Sequence, residues 1–217
     1  MDFGFSTFLR LFFQAWTQPR QVMKTLLEQR PGYHVWTLVI LYAFFQTFEP
    51  EYFIPFLSHG ALSTLLLVGL LVSVGFDVAA MYFFTGFWLL IGRWLGGKGN
   101  LKGLMTAYAW SYPPSIIGII LLQSSNIPTW LRITGGENDF KTIVTAPHML
   151  WQASFHLLSF LLVMWTAVLL VINVSEAHKF SIGRSILTVL LVLVPVMAIV
   201  FVGAVFFAFW ALKVHSA

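Results

Sequence analysis

Long apolar runs separated by short polar connections dominate the chain from residue 33 to its end. A helix needs roughly 20 apolar residues to cross the hydrocarbon core of a bilayer. Five runs are suited to that role, and they cover residues 33–48, 62–95, 104–123, 148–173 and 186–212. The pattern therefore predicts that residues 33–217 form an all-α, integral membrane five-helix bundle.

Two of the predicted spans depart from the ideal length. Residues 33–48 are somewhat few for a full crossing, whereas residues 62–95 are too many for one simple crossing. Because a helix rises about 1.5 Å per residue, the longer segment is expected to tilt, kink or protrude from the bilayer.

Residues 1–32 have a different pattern, in which polar positions recur at helical spacing. Thr7, Arg10, Gln14 and Thr17 form one stripe of a helix whose other positions are mostly aromatic or aliphatic. Such a helix is suited to lying in the headgroup plane of a membrane. Pro19 fits the first turn of a second short helix, where its missing N–H costs nothing. This segment is predicted to form N-terminal amphipathic interfacial helices on the cytoplasmic face.

Composition supports the membrane class. Hydrophobic residues make up 59% of the chain and charged residues 9%, whereas soluble domains carry about 25% charged residues. The mean hydropathy of +0.84 agrees with this assignment. The chain has no cysteine, which excludes disulfides, thiolate metal sites and cysteine nucleophiles.

The distribution of Lys and Arg predicts the orientation. With five spans, nine of the 12 cations fall in one set of loops, and Arg132, Lys141 and Lys213 fall in the opposite set. Cations near the ends of spans are retained on the cytoplasmic side. The N-terminus is therefore predicted to be cytoplasmic and the C-terminus to lie on the opposite side.

The connection between the second and third predicted spans, GRWLGGKGNLKG at residues 92–103, is rich in glycine and basic residues. It has neither the P-loop nor the dinucleotide-binding spacing. Gly92 and Gly96 form a GxxxG pattern, which favours close helix packing. Cations here attract anionic lipid headgroups by about 1 kcal/mol each. The candidate headgroup contacts are Arg93, Lys98 and Lys102.

Asp77 is the only acidic residue inside a predicted span. An intramembrane carboxylate is a functional hypothesis by default. Helical rise places Asp77 about 8–9 Å and His156 roughly 12 Å inside the same boundary. They are a candidate hydrogen-bonded pair that titrates, as in a proton-coupled transporter. The alternative is that Asp77 caps a kink near Ser73 and Gly75, or lies at the outer interface.

Two adjacent prolines interrupt the third predicted span. Because Pro113 and Pro114 have no N–H, the carbonyls of Ala109 and Trp110 lose their helical donors. Broken helices in transporters expose such carbonyls to an ion or substrate. The alternative is a bent helix whose freed carbonyls bond to nearby hydroxyl groups. The candidate helix-break site comprises Tyr108, Ser111, Tyr112, Pro113 and Pro114, with Ser115 beside it.

Other polar clusters favour structural roles. Glu176 and His178 provide too few ligands for a metal site, and a solvated turn is expected around them. His148 and His156 are about 12 Å apart along one helix, too far to bind one haem iron. No nucleophile–base or metal constellation is visible. We therefore predict no metal, no cofactor, no enzymatic activity and no nucleic-acid partner.

Three stretches resemble the Yip family, the Ypt/Rab-GTPase-interacting membrane domain. They are FFQAWTQPRQVMKTLLEQRPGYHVWTLVILY, LLIGRWLGGKGNLKGLMTAYAWSYPPSIIGIILL and WTAVLLVINVSEAHKFSIGRSILTVLLVLV, in the family's order. The resemblance implies a five-span bundle with a cytoplasmic N-terminus. It is to a prokaryotic-type member, because the chain lacks the Asp-Leu-Tyr-Gly-Pro motif that eukaryotic members carry ahead of the spans.

Three classes of function follow from these features. The first is a non-enzymatic membrane protein that organises membrane or recruits partners through its amphipathic N-terminus and basic loops. The second is a small transporter or channel that uses Asp77 and the proline-broken third span. The third is an accessory subunit of a larger membrane complex. The expected partners are the lipid bilayer, anionic headgroups, and a membrane protein or second copy of the chain.

Overall fold

The computed structural model describes residues 4–48, 62–135, 146–198 and 201–202. Within these ranges the chain is helical and contains no strand, which confirms the all-α class. The helices are α1 (Phe5–Thr17), α2 (Pro19–Gln29), α3 (Val35–Gln46), α4 (Leu62–Trp94), α5 (Leu101–Ala109), α6 (Pro113–Gly135), α7 (Ala146–His178) and α8 (Ile182–Leu191).

Three helical stretches in the described ranges are long and apolar enough to cross a bilayer: Leu66–Trp94, Leu101–Ser125 and Leu150–His178. Val35–Gln46 and Ile182–Ala198 are apolar but shorter. Residues 199–200 and 203–212 of the predicted fifth span lie outside the described residues, as do Lys141 and Lys213. The chain is a multi-pass membrane protein, and the count of five spans stays a prediction.

The α5–α6 segment lies at the centre of the bundle. Its most apolar 18-residue window is 72% buried, compared with 11% for α4 and 22% for α7. The middle of α4 and of α7 therefore leaves most of its apolar surface facing outward, as expected for helices in contact with lipid.

The α6–α7 pair is the most extensive helix contact, and polar side chains bond across it. The hydroxyl groups of Ser115 and Thr166 are 2.7 Å apart, and the Ser159 hydroxyl donates to the Gly118 carbonyl at 2.8 Å. A Cβ at Gly118 would lie only 3.4 Å from that of Leu162. Small residues and hydroxyl groups are the usual means of close helix association in lipid.

The N-terminal helices pack against the bundle. Helix α1 buries Phe8, Leu11, Phe12 and Ala15, and α2 buries Val22, Met23 and Leu26 after starting at Pro19 as predicted. The Tyr33 hydroxyl donates to the Gly4 carbonyl at 3.2 Å. The apolar surface of α1 is therefore divided between a face that contacts the bundle and a face that remains exposed.

The turn between α2 and α3 is held against the central segment by two hydrogen bonds. The Gly32 N–H donates to the Thr106 hydroxyl at 2.9 Å, and the Trp110 indole donates to the Tyr33 carbonyl at 2.8 Å. An Arg20–Glu176 ion pair at 3.6 Å joins α2 to the end of α7. Because Arg20 is 60% exposed, the ion pair contributes little stability.

Candidate functional site

The proline break lies where the sequence predicts it, between the end of α5 at Ala109 and the start of α6 at Pro113. The Ser111 N–H donates to the Tyr108 carbonyl, and the Tyr112 N–H donates to the Ala109 carbonyl. Both bonds reach three residues back instead of four, so the chain forms a tight turn here.

The Ala109 carbonyl, which the sequence predicted to be free, therefore has a donor in Tyr112. The turn instead releases the Ala107 carbonyl, and polar side chains bond to it. It accepts from the Ser111 hydroxyl at 2.7 Å and from the Asn173 amide at 3.3 Å. The same amide donates to the Ser111 hydroxyl at 3.2 Å. Sequence reasoning missed Asn173, although a polar residue in a span tends to face other helices.

Asp77 lies beside the break. It is 4% exposed, and its carboxyl group interacts electrostatically with the hydroxyl groups of Tyr108 and Tyr112. Within the described residues, its Oδ2 atom has no hydrogen-bond partner. The structure thus brings together two features that the sequence suggested separately, the intramembrane acid and the helix break.

The predicted pairing of Asp77 with His156 is not formed in this structure. His156 is exposed, and its Nδ1 atom lies 2.7 Å from the Gln152 carbonyl of its own helix. The reason is the packing of α7, which makes its main contacts with α6, α5, α2 and α8. Similar depth in the membrane does not place two residues side by side, because α4 and α7 meet near His178, at the end of α7, and not beside His156.

An aromatic row runs from α3 across the break to α4. Tyr42 stacks on Tyr112 with ring centroids 4.5 Å apart, and Tyr112 contacts Tyr108 at 5.0 Å. Tyr108 in turn contacts Trp88 at 5.8 Å and Phe84 at 6.4 Å. Offset and edge contacts of this kind each stabilise by about 0.5–1.5 kcal/mol. The row surrounds the turn at the break with rigid side chains.

A second polar centre forms around His178, at the end of α7. The imidazole is fully buried, so the expected solvated turn is wrong for this residue. The Gly99 N–H lies 3.3 Å from Nδ1, and the Trp88 carbonyl lies 3.0 Å from Nε2. A backbone N–H can only donate and a carbonyl oxygen can only accept, so the ring is the neutral tautomer with its proton on Nε2.

Three glycines enclose this imidazole. A Cβ at Gly92 would lie 2.2 Å from Nε2, and a Cβ at Gly97 or Gly99 would lie 2.5 or 2.7 Å from Nδ1. No larger residue fits at these positions while the ring stays in place. Close contact with His178 therefore explains three of the five glycines in GRWLGGKGNLKG.

Gly96 and Gly97 of the same segment end α4. Gly96 has a φ of 86°, its N–H donates to the Arg93 carbonyl, and the Gly97 N–H donates to the Gly92 carbonyl. This pair of bonds is the Schellman motif, which requires a left-handed residue after the helix. One glycine-rich segment thus ends the helix and encloses the histidine.

The three candidate headgroup contacts lie on separate surfaces. Lys102 lines a cleft of about 490 Å³ with Arg30, whereas Lys98 lines a groove of about 480 Å³ with Lys24 and Lys179. Arg93 is exposed at the end of α4 and interacts electrostatically with His178. Each cation therefore belongs to a different local environment.

Comparison with known proteins gives one family match. A family model described as the Yip1 domain matches residues 13–205. Neither a curated protein nor a solved structure matches the chain.

Gly92→Ala is expected to destabilise the folded protein, because the new methyl group displaces the bonded His178 ring. Overpacking of this kind costs about 1–3 kcal/mol. Gly86→Ala on the same helix is the matched control, because a Cβ there meets no atom within 4 Å. Replacing the helical Gly86 by Ala is expected to leave the stability of the folded protein unchanged or to raise it by up to about 1 kcal/mol. Thermal unfolding in detergent measures both, and equal melting temperatures would contradict the enclosed-ring account.

Proposed function

The chain belongs to the Yip1 domain family, and from this membership we propose a non-enzymatic role in organising membrane or recruiting partners at its cytoplasmic face. The family match covers most of the chain. The observation that carries the proposal is an exposed apolar ridge on α1, formed by Phe5, Leu9 and Phe13. These side chains are 71%, 41% and 61% exposed.

The ridge is one of three sides of α1. Residues four positions apart share a helical side, so Phe5, Leu9 and Phe13 form a continuous ridge. The second side, which includes Phe8 and Phe12, is buried against the rest of the protein. The third side carries the polar stripe predicted from the sequence. An exposed apolar side next to a polar one suits a helix in the interfacial plane.

Contacts with the bundle fix the position of this ridge. The Phe8 ring packs edge-on against Trp110 at 6.0 Å and contacts His34 at 4.6 Å. Helix α1 therefore presents its ridge from a defined place on the folded protein. Full burial of a Phe or Leu side chain contributes about 1.5–3 kcal/mol, so three such residues in lipid would draw this end of the bundle into one leaflet.

The open groove between α2, the glycine-rich loop and the end of α7 suits a polar partner. Its lining includes the cations Lys24, Lys98 and Lys179 and the acids Glu28 and Glu176. Charges of both signs favour recognition of a complementary surface and raise the association rate. This groove supports the recruitment part of the proposal.

We also propose that the N-terminus is cytoplasmic and the C-terminus lies on the opposite side. The groove places Lys24 of α2 with Lys98 and Lys179 of two other segments at the same end of the bundle. Arg30 and Lys102 meet in the neighbouring cleft. A cationic end formed by separate parts of the chain is typical of the cytoplasmic side.

A second candidate function is that of a small transporter or channel. The observation that favours it is Asp77, a buried acid beside the helix break with one oxygen that has no partner among the described residues. The released Ala107 carbonyl does not add to this case, since Ser111 and Asn173 already bond to it. An accessory role in a larger complex is a third candidate, and co-purification in mild detergent with an identified membrane protein would favour it.

The ridge is expected to make the reconstituted protein prefer curved membrane, because apolar side chains inserted into one leaflet act as a wedge. The variant with Phe5, Leu9 and Phe13 all changed to Ser should lose several-fold of its enrichment on small vesicles relative to large ones. Gln14→Ser with Thr17→Ser, on the polar side of the same helix, is the matched control. Equal partitioning of the wild-type chain and the ridge variant would remove support for membrane organisation.

The orientation is checked by labelling single cysteines, since the natural chain has none. In sealed vesicles with the cytoplasmic face outside, an impermeant maleimide should label Ser6→Cys and leave Ser216→Cys unlabelled until detergent is added. Labelling of both positions before detergent would show that the two termini share a side.

The two leading candidate functions differ in what they predict for Asp77. The membrane-organising role predicts the same proton flux in proteoliposomes with wild-type protein, Asp77→Asn and protein-free controls. A transporter predicts a flux that Asp77→Asn abolishes and Asp77→Glu retains. His156→Gln is the control, because the exposed His156 ring bonds within its own helix. A flux that depends on Asp77 would overturn the membrane-organising role.

A further inference from the structure

Two cations from distant parts of the sequence line one cleft beside the start of α3. Arg30 follows α2, and Lys102 lies in the first turn of α5. The cleft has a volume of about 490 Å³, within the range of about 300–1,000 Å³ typical of small-molecule sites. Its lining residues are Arg30, Pro31, Gly32, Tyr33, His34 and Lys102, which include no carboxylate.

Buried groups hold the two sides of this cleft together. Gly32 has a φ of 90°, and a Cβ there would lie 2.9 Å from the Cε atom of Lys102. The Thr106 hydroxyl accepts from the Gly32 N–H and donates to the Lys102 carbonyl at 2.8 Å. Thr106 is fully buried. The Lys102 stem therefore lies directly over the turn that carries Arg30.

The two cations are suited to a phosphate group. The Arg30 guanidinium lies 5.7 Å from the centroid of the Tyr33 ring, which orients a planar group able to donate two hydrogen bonds to one phosphate. Lys102 adds a compact positive charge on a flexible stem. Among the described residues, Lys102 has no carboxylate partner.

An apolar track leads away from the cleft along α3. Trp36, Ile40 and Phe44 are four residues apart, and they are 47%, 48% and 40% exposed. The track begins two residues after His34, which lines the cleft. Tryptophan is enriched at the level of the headgroups, and the apolar positions beyond it lie toward the membrane interior. Charge at one end and an apolar stripe at the other match the two parts of a lipid.

We propose that the Arg30–Lys102 cleft binds the phosphate of an anionic phospholipid, whose acyl chains lie along Trp36, Ile40 and Phe44. The assignment rests on the proposed cytoplasmic position of this end of the bundle. Anionic lipids are concentrated in the cytoplasmic leaflet. The site gives the protein a preference for a lipid class, in addition to the curvature preference of the α1 ridge.

The test uses full-length, delipidated protein in neutral detergent and measures the rise in melting temperature on titration with phosphatidylglycerol. Phosphatidylcholine and inorganic phosphate are titrated in parallel. Phosphatidylglycerol is expected to stabilise at much lower concentration than either. The double variant Arg30→Gln with Lys102→Gln loses two interfacial cations that contribute about 1 kcal/mol each. Its binding of phosphatidylglycerol should therefore be about 30-fold weaker. Lys98→Gln with Lys179→Gln removes the same charge from the neighbouring groove and should bind like the wild-type chain.

Further variants separate the outcomes. Lys102→Gln alone should weaken the binding of phosphatidylglycerol about fivefold. This single variant keeps the test valid if the double variant does not fold. The double variant Trp36→Ala with Ile40→Ala should weaken the binding of the lipid and leave the binding of inorganic phosphate unchanged.

Three results would overturn the proposal: wild-type binding by the cleft variant, equal loss in the Lys98 and Lys179 variant, or stabilisation by inorganic phosphate as strong as that by lipid. The titration in detergent depends neither on the orientation of the protein in a membrane nor on membrane curvature. A negative result here with intact curvature preference would therefore reject the lipid site and leave the proposed function standing.

Discussion

Backbone polar groups at membrane depth need partners within the protein, because the lipid offers none. This constraint governs the most buried part of the molecule, the proline break between α5 and α6. The break releases the Ala107 carbonyl, which Ser111 and Asn173 then satisfy. Because Asn173 belongs to α7, the repair also fixes the place of that helix against α5. The break is therefore a point of assembly as well as an interruption.

The end of the bundle that carries the glycine-rich loop obeys the same constraint in a different way. His178 ends α7 and bonds to a carbonyl of α4 on one side and an amide of the glycine-rich loop on the other. Three glycines give the ring the room it needs. The loop is close to α2 and to the turn before α3, so the cleft and the groove both take their shape from it. The basic residues of the loop take defined positions because the glycines between them pack against the His178 ring.

Local patterns in the sequence indicated the extent of one long helix and the position of two boundaries at proline. The range 62–95 corresponds to α4 (Leu62–Trp94), Pro19 starts α2, and Pro113 starts α6. Proline and apolar periodicity act through the backbone of their own segment, so such features are readable from the sequence. The family resemblance was also confirmed, by a match over residues 13–205. The match supplies the architecture more firmly than the activity.

Which helices are neighbours was not readable in the same way. Depth along the membrane suggested His156 as the partner of Asp77, but α7 turns that residue outward and α5–α6 brings Tyr108 and Tyr112 to the acid. The sequence also placed His178 in a solvated turn, since no local signal separates a buried histidine from a hydrated one. The sequence feature that accompanies the burial of His178 is the set of three glycines in a distant loop, and only the folded structure brings them to the ring.

The hydrogen bonds of His178 go to two backbone groups, so they do not depend on the side chain of Trp88. His178 also connects the end of one long lipid-facing helix to the end of another. An axial displacement of α4 would be carried through the Trp88 carbonyl to the ring, and from the ring to the loop at Gly99. A change in bilayer thickness that shifts α4 would therefore move the charged residues at the loop end of the bundle.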